Sequence, residues 1–279
     1  CAMAARATRS ASRKARVTEA VATGPFGALS HDELGVIVDG LSDPLQPVVA
    51  VALSSTCLGL RTPLQAALEV LKERHEQAKA LCRKLCQSCA EVRGAEKLYG
   101  HSLLVADDFP TLAMILRTNG LPCLQRLYLG NSGLVDAGMQ ALCEGLGRGA
   151  APSLLTLGLA HNNFGLAGAE ALAAALRRGA MPKLEWLGLA ENPIGNSGMA
   201  ALAAPLRKLP ALNRLVLDDC EIGDEGVASL VDNLGKDDFK KLERLYIEGN
   251  TITDAGAVKL LAALDAGGLP KLVNDMYLL

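Results

Sequence analysis

"LQRLYLGNSGL" (124–134) carries apolar residues at its first, fourth, sixth and eleventh positions, and four later stretches repeat that arrangement in register. They are "LLTLGLAHNNF" (154–164), "LEWLGLAENPI" (184–194), "LNRLVLDDCEI" (212–222) and "LERLYIEGNTI" (242–252), with starts 30, 30, 28 and 30 residues apart. The fourth and sixth positions fall on one side of a short strand, because strand side chains alternate. The ninth position holds Ser132, Asn162, Asn192, Cys220 and Asn250, groups that can bond the backbone where the chain leaves the strand. A second pattern follows, as in "GMQALCEGL" (138–146) and "GAEALAAAL" (168–176), placing apolar residues four apart on one helix face. One strand and one helix cannot enclose a core alone, whereas stacked units share a continuous one. The predicted fold class is therefore α/β, with parallel strands on one face and helices on the other.

Residues 98–122 read as a degenerate first unit with a good helix, and "LVNDMYLL" (272–279) reads as the start of a further, truncated strand. Pro205, late in the third helix, removes a hydrogen bond and is expected to kink or end it. On these motifs the units resemble leucine-rich repeats of the ribonuclease-inhibitor type, whose longer repeat has a full helix on the outer face. The resemblance implies a horseshoe solenoid over 94–279, with the strands lining its concave side.

The strand positions between the leucines then give three rows on that side. The first is Arg126, Thr156, Trp186, Arg214 and Arg244; the second is Tyr128, Gly158, Gly188, Val216 and Tyr246. The third is Gly130, Ala160, Ala190, Asp218 and Glu248, with Asn131, His161, Glu191 and Asp219 beside it. Trp186, the sole tryptophan, is expected to be exposed there. Aromatic side chains flanked by arginine are the usual anchors of protein interfaces, and the mixed charges suit a protein partner. The competing expectation is a set of solvated residues satisfying one another across the ladder.

The segment "GALSHDELGVIVDGLSDPLQPVVAVALSSTCLGLR" (27–61) differs in character. Ser30 and Glu33 form a capping-box signature, Leu34, Ile37, Val38 and Leu41 make an apolar face, and Asp43 with Pro44 breaks that helix. Through Leu29, Asp32, Glu33, Leu34, Ile37, Leu41, Asp43 and Pro44, then Cys57, Leu60 and Arg61, it resembles an F-box. That resemblance implies binding to the Skp adaptor of a cullin ubiquitin ligase through Leu29, Leu34, Ile37, Leu41 and Pro44. Ser30 and His31 stand where the family has Leu-Pro, Gly35 replaces an apolar residue, and no Trp closes the motif. The alternative is a small helical cap on the solenoid.

Between the two lies "LCRKLCQSC" (81–89). Its C-x3-C-x2-C spacing suits a cluster site, but Leu64, Leu68, Leu71, His75, Ala78, Cys82, Leu85 and Cys89 recur as one seam of a helix. Thr62 and Pro63 open such a helix, predicted to run over 62–93. On it Cys82 and Cys89 would be roughly 10 Å apart along the axis, too far to share a cluster. No metal or cofactor is expected.

The predicted organisation is a basic tail (1–23), a helical module (24–61), a connecting helix (62–93) and the repeat domain (94–279). The 28 basic and 30 acidic residues nearly balance, which argues against nucleic acid as a partner. Eight scattered cysteines fit a reducing compartment. "PVVAVALSSTCLGL" (47–60) is too short to span a bilayer, which needs about 20 apolar residues. "CAMAARATRSASRKARV" has the composition of an organellar transit peptide or of a basic disordered tail, and a start at Cys1 suggests a processed chain or a fragment. Four dispersed histidines and glycine stretches without a phosphate-loop lysine give no catalytic constellation and no small-molecule site. The leading expectation is a non-catalytic cytoplasmic or nuclear receptor of an SCF-type ubiquitin ligase. The alternatives are a scaffold subunit of a larger assembly, organellar if the basic start is a transit peptide, and a resemblance to the Ran GTPase-activating protein, in which Arg126, Arg214 or Arg244 would face the partner.

Overall fold

A computed structural model describes residues 43–48, 51–52 and 65–265, except 148 and 236, in two units, 1–79 and 80–279. In the first, the Asp43–Pro44 break is a turn: Leu45 N donates to Asp43 Oδ1 (2.9 Å) and Gln46 N to Asp43 O (3.0 Å). His75 Nδ1 lies 2.7 Å from Pro44 O and joins that turn to helix α1 (Gln65–Lys84). Leu29, Leu34, Ile37 and Leu41, and the helix start at Thr62 and Pro63, lie outside the described residues.

The single helix expected over 62–93 is instead two. Helix α1 ends at Lys84, Cys86 takes a left-handed φ of 54°, and Gln87 N donates back to Cys82 O at 3.0 Å. Helix α2 (Cys89–Gly94) then starts on a capping box in which Glu91 N donates to Ser88 Oγ (3.2 Å) and Ser88 N to Glu91 Oε2 (2.6 Å). The seam stays inward through Leu71, Ala78, Cys82 and Leu85, and then the chain turns. The turn at Cys86 breaks the continuous helix on which Cys82 and Cys89 were expected to lie roughly 10 Å apart along one axis. Burial first, and then the Cys89 thiol, push the Cys82 thiol up to about 12.

Six strands follow: β1 (Lys97–Tyr99), β2 (Arg126–Tyr128), β3 (Thr156–Gly158), β4 (Trp186–Gly188), β5 (Arg214–Val216) and β6 (Arg244–Tyr246). They form one parallel sheet in chain order. The helices between and after them are α3 (Phe109–Thr118), α4 (Asp136–Gly145), α5 (Leu166–Arg177), α6 (Gly195–Arg207), α7 (Asp224–Val231) and α8 (Asp254–Asp265). Each packs on the next, forming a second layer. The degenerate first unit is thus a full one, and the truncated strand at 272–279 lies outside the described residues. Helix α6 ends at Arg207, just past Pro205, in accord with the lost donor.

The core sits between the layers. Leu98, Leu127, Leu157, Leu187, Leu215 and Leu245 pair in register along the sheet and are buried against Leu142, Leu172, Leu202, Leu230 and Leu260 of the helices. The ninth-position ladder closes the edge where strands turn into helices. Asn162 Nδ2 donates to Leu129 O (2.9 Å) and Leu159 O (2.8 Å), while its Oδ1 accepts from Ser132 N (3.1 Å) and Leu134 N (3.0 Å). Asn250 repeats this arrangement one end of the sheet later, accepting from Cys220 N (3.0 Å) and Ile222 N (2.9 Å). Cys220 supplies only a weak donor, Sγ to Leu189 O at 3.3 Å. These bonds satisfy carbonyls that burial would otherwise strand.

Candidate protein-binding face

The three rows expected from the alternation lie across the sheet on the face away from the helices. Register pairing aligns Lys97, Arg126, Thr156, Trp186, Arg214 and Arg244 in the first row and Tyr99, Tyr128, Gly158, Gly188, Val216 and Tyr246 in the second. The degenerate unit therefore adds Lys97 and Tyr99, which its irregular sequence had concealed.

Aromatic rings gather at the β1–β4 end. Tyr99 and Tyr128 stack with centroids 5.3 Å apart and planes at 8°, and Trp186 meets Tyr128 at 6.2 Å and 54°. Trp186 is half-buried rather than fully exposed. Its indole lies over Gly188, where an added Cβ would come 2.5 Å from Cη2, and over Gly158, where one would come 3.2 Å from Cζ3. A side chain at 188 would displace the ring, and one at 158 would press on it. The three rings, with His101, enclose an open pocket of about 340 Å³ floored by Gly130, Gly158 and Ala160.

At β5–β6 the third row is acidic. Glu248 N donates to Asp218 Oδ1 at 2.8 Å, and Asp219 and Glu248 stand beside that carboxylate. Burial, with the Glu248 and Asp219 charges adding to it, raises the Asp218 carboxyl above its ordinary range, against the lowering effect of the Glu248 N–H. Arg126, Arg214 and Arg244 form no ion pair among the described residues, so these three are not satisfied across the ladder. His161 does pair, its Nδ1 2.7 Å from Glu191 Oε2.

That pair depends on a backbone feature the apolar pattern gave no sign of. Ser102, Asn131, His161, Glu191, Asp219 and Gly249 occupy the same place in successive units, and all have φ between 49° and 66°. Asn and Gly favour this conformation, but His161 and Glu191 carry no such signal. Each turn aims an N–H at the next unit: His161 N to Ala190 O (2.9 Å), Glu191 N to Asp218 O (2.9 Å) and Asp219 N to Glu248 O (2.8 Å). The ladder is thereby extended beyond the short strands, and the side chains at 161, 191 and 219 are brought to one rim.

A sequence model of the leucine-rich repeat matches residues 150–173, 180–203, 208–231 and 240–261, each window covering a strand, its asparagine-ladder turn and most of the following helix. These units are leucine-rich repeats. The β1 and β2 units lie outside the matched windows yet continue the same sheet in the same register. No curated protein matches the chain. Leucine-rich repeats are protein-interaction modules, and the open sheet face is the surface such a solenoid presents. Among the described residues no helix is long and apolar enough to cross a membrane.

Proposed function

We propose that the chain is a non-catalytic receptor that holds a protein partner on the concave face of its leucine-rich repeats, anchored at Tyr99, Tyr128 and Trp186. The observation that supports this most directly is the aromatic pocket itself: three rings stand over a floor of glycine and alanine, with Arg126, which has no ion pair among the described residues, beside them. Large aromatic side chains in a shallow apolar recess supply the anchoring energy of most interfaces. The full outer helix in each repeat supports assignment to the ribonuclease-inhibitor type.

A photo-crosslinking residue at Arg126 tests this against the same residue at Glu170, on the exposed side of helix α5. Partners captured from the chain's own cells only at position 126, and lost with Trp186→Ala, are expected. The same proteins captured equally from both positions would overturn the reading.

The finer reading is a substrate receptor of an SCF-type ubiquitin ligase, cytoplasmic or nuclear. Its support is the F-box-like sequence at 27–61 together with the Asp43–Pro44 turn held by His75. Co-purification of the intact chain with Skp and cullin, weakened by Leu34→Ala and Leu41→Ala, checks it. A chain that retains no adaptor at micromolar concentration, or that resides only inside an organelle, would leave the scaffold role standing.

A further inference from the structure

Basic side chains run along the whole first row, as Lys97, Arg126, Arg214 and Arg244, whereas the carboxylates of the three rows are confined to β5–β6. Over β1–β3 the charged or titratable side chains of the three rows are Lys97, Arg126 and His101, with no carboxylate among them. Over β5–β6 the third row is Asp218 and Glu248 with Asp219 beside it, and neither Arg214 nor Arg244 forms an ion pair with them. The ring pocket spans the first of these regions and reaches the next strand through Trp186.

We propose that the partner presents an extended segment that crosses the strands, placing an aromatic or proline ring among Tyr99, Tyr128 and Trp186. Acidic residues flank that ring, and a lysine or arginine reaches Asp218 and Glu248. This rests on the concave face being the binding surface and goes further by specifying the chemistry of what it takes.

Three arguments fix that chemistry. The pocket is walled by ring faces and edges and floored by residues without long side chains, so it takes a flat apolar group by stacking. An aromatic box of this kind also attracts cations, but Lys97 and Arg126 at its margin oppose a cation and favour carboxylates next to the inserted ring. Among the described residues the Asp218 cluster has no basic partner, and it is partly desolvated, so a cation arriving there relieves mutual repulsion as well as forming a pair.

The spacing follows from the sheet. The pocket spans β1–β4, centred between β2 and β3, and the acidic group lies between β5 and β6, about three strand spacings, or roughly 14 Å at about 4.8 Å each. An extended chain at about 3.3 Å per residue covers that in about four residues. The expected signature is therefore an aromatic or proline beside Asp or Glu, with Lys or Arg about four positions away. Acidic side chains at the β5–β6 end oppose a nucleic-acid strand crossing the same path.

A random-peptide phage library panned on the full chain, followed by synthetic peptides of the enriched sequences, tests this. Enrichment of the signature is expected. Tyr128→Ala or Trp186→Ala should weaken those peptides about tenfold or more. Arg126→Glu, an exposed change that spares the core, should weaken them through the acidic flank. Asp218→Asn with Glu248→Gln should weaken only the peptides that carry the basic residue. Circular dichroism of each variant confirms that it is folded. Enriched peptides that need Tyr128 but show no charge order, or the reverse order, would sink this inference while leaving the concave face as the binding site. Peptides indifferent to every concave substitution would sink the concave reading itself. No enrichment, or an oligouridine strand binding this face more tightly than any peptide, would overturn the inference.

Discussion

Asp136, at the first turn of α4, accepts hydrogen bonds through one oxygen, Oδ1, from Gly165 N and Gly168 N of the next repeat, both at 2.8 Å. One repeat's carboxylate thus caps the helix of its neighbour. Asn196 does the same for Gly223 N (2.7 Å) and Gly226 N (3.1 Å), and Asp224 for Thr253 N (2.8 Å). The series is interrupted once, at Leu166, which holds the equivalent place on α5 and is 44% exposed. Helix α6 accordingly begins without a side-chain cap. Asp136→Ala should cost about 1–2 kcal/mol, the usual effect of losing a cap, whereas Leu166→Asp should add little, because Gly195 N already donates to Cys220 O (2.9 Å). Urea denaturation midpoints measure both.

Trp186 gives a spectroscopic check on the concave face, because it is the sole tryptophan. Gly188→Ala should lift the indole off the sheet, since the new Cβ would lie 2.5 Å from Cη2. A red-shifted emission and easier quenching by iodide are expected, with little loss of thermal stability. Unchanged emission would show that the ring does not rest where described.

Asp218 should make stability depend on pH in a particular direction. Its carboxyl is raised in the fold by burial and by its acidic neighbours, so ionising it costs the native state more than the unfolded chain. The penalty is fully present above the raised native value, shrinks as pH falls through it, and is gone below the unfolded value of about 3.9. Asp218→Asn, which still offers an oxygen to Glu248 N, should therefore melt higher than the parent at pH 7. Thermal melts in steps down to acid should show that advantage disappear.

Among the described cysteines, thiol reactivity should divide by environment. Cys82, Cys143 and Cys220 are buried, and burial raises each thiol to about 12, so iodoacetamide at pH 8 should leave them unmodified. Cys86 and Cys123 are exposed and should be labelled first, as peptide mass spectrometry would show.

Most of the repeat domain was legible because two short periods, two residues for the strand and about four for the helix, recur together every 30 residues or so. Alternation alone placed Arg126 beside Thr156 and Trp186 beside Arg214. It did not show how deep Trp186 sits, since that depends on glycines at 158 and 188, on neighbouring strands as well as its own. The turn at Cys86 was hidden because Cys82, Leu85 and Cys89 keep helical spacing straight through it. The sequence does carry one sign, Ser88 followed three residues later by Glu91, which marks a helix start inside the apparent seam. The left-handed row was legible only at Asn131 and Gly249. At His161 and Glu191 the conformation is imposed by the ladder bonds of adjacent repeats.

The chain order of the six strands also determines how the domain comes apart. Each of the six described strands pairs only with strands adjacent in sequence, so among the described residues no distant strand must leave before a given repeat can open. Loss of structure should therefore advance as a front, repeat by repeat, and amide exchange should record a graded profile along β1–β6 in place of a single protected core. A partner spanning the Tyr128 and Asp218 regions would bridge several of those steps at once, and so would slow the front as well as occupy the face.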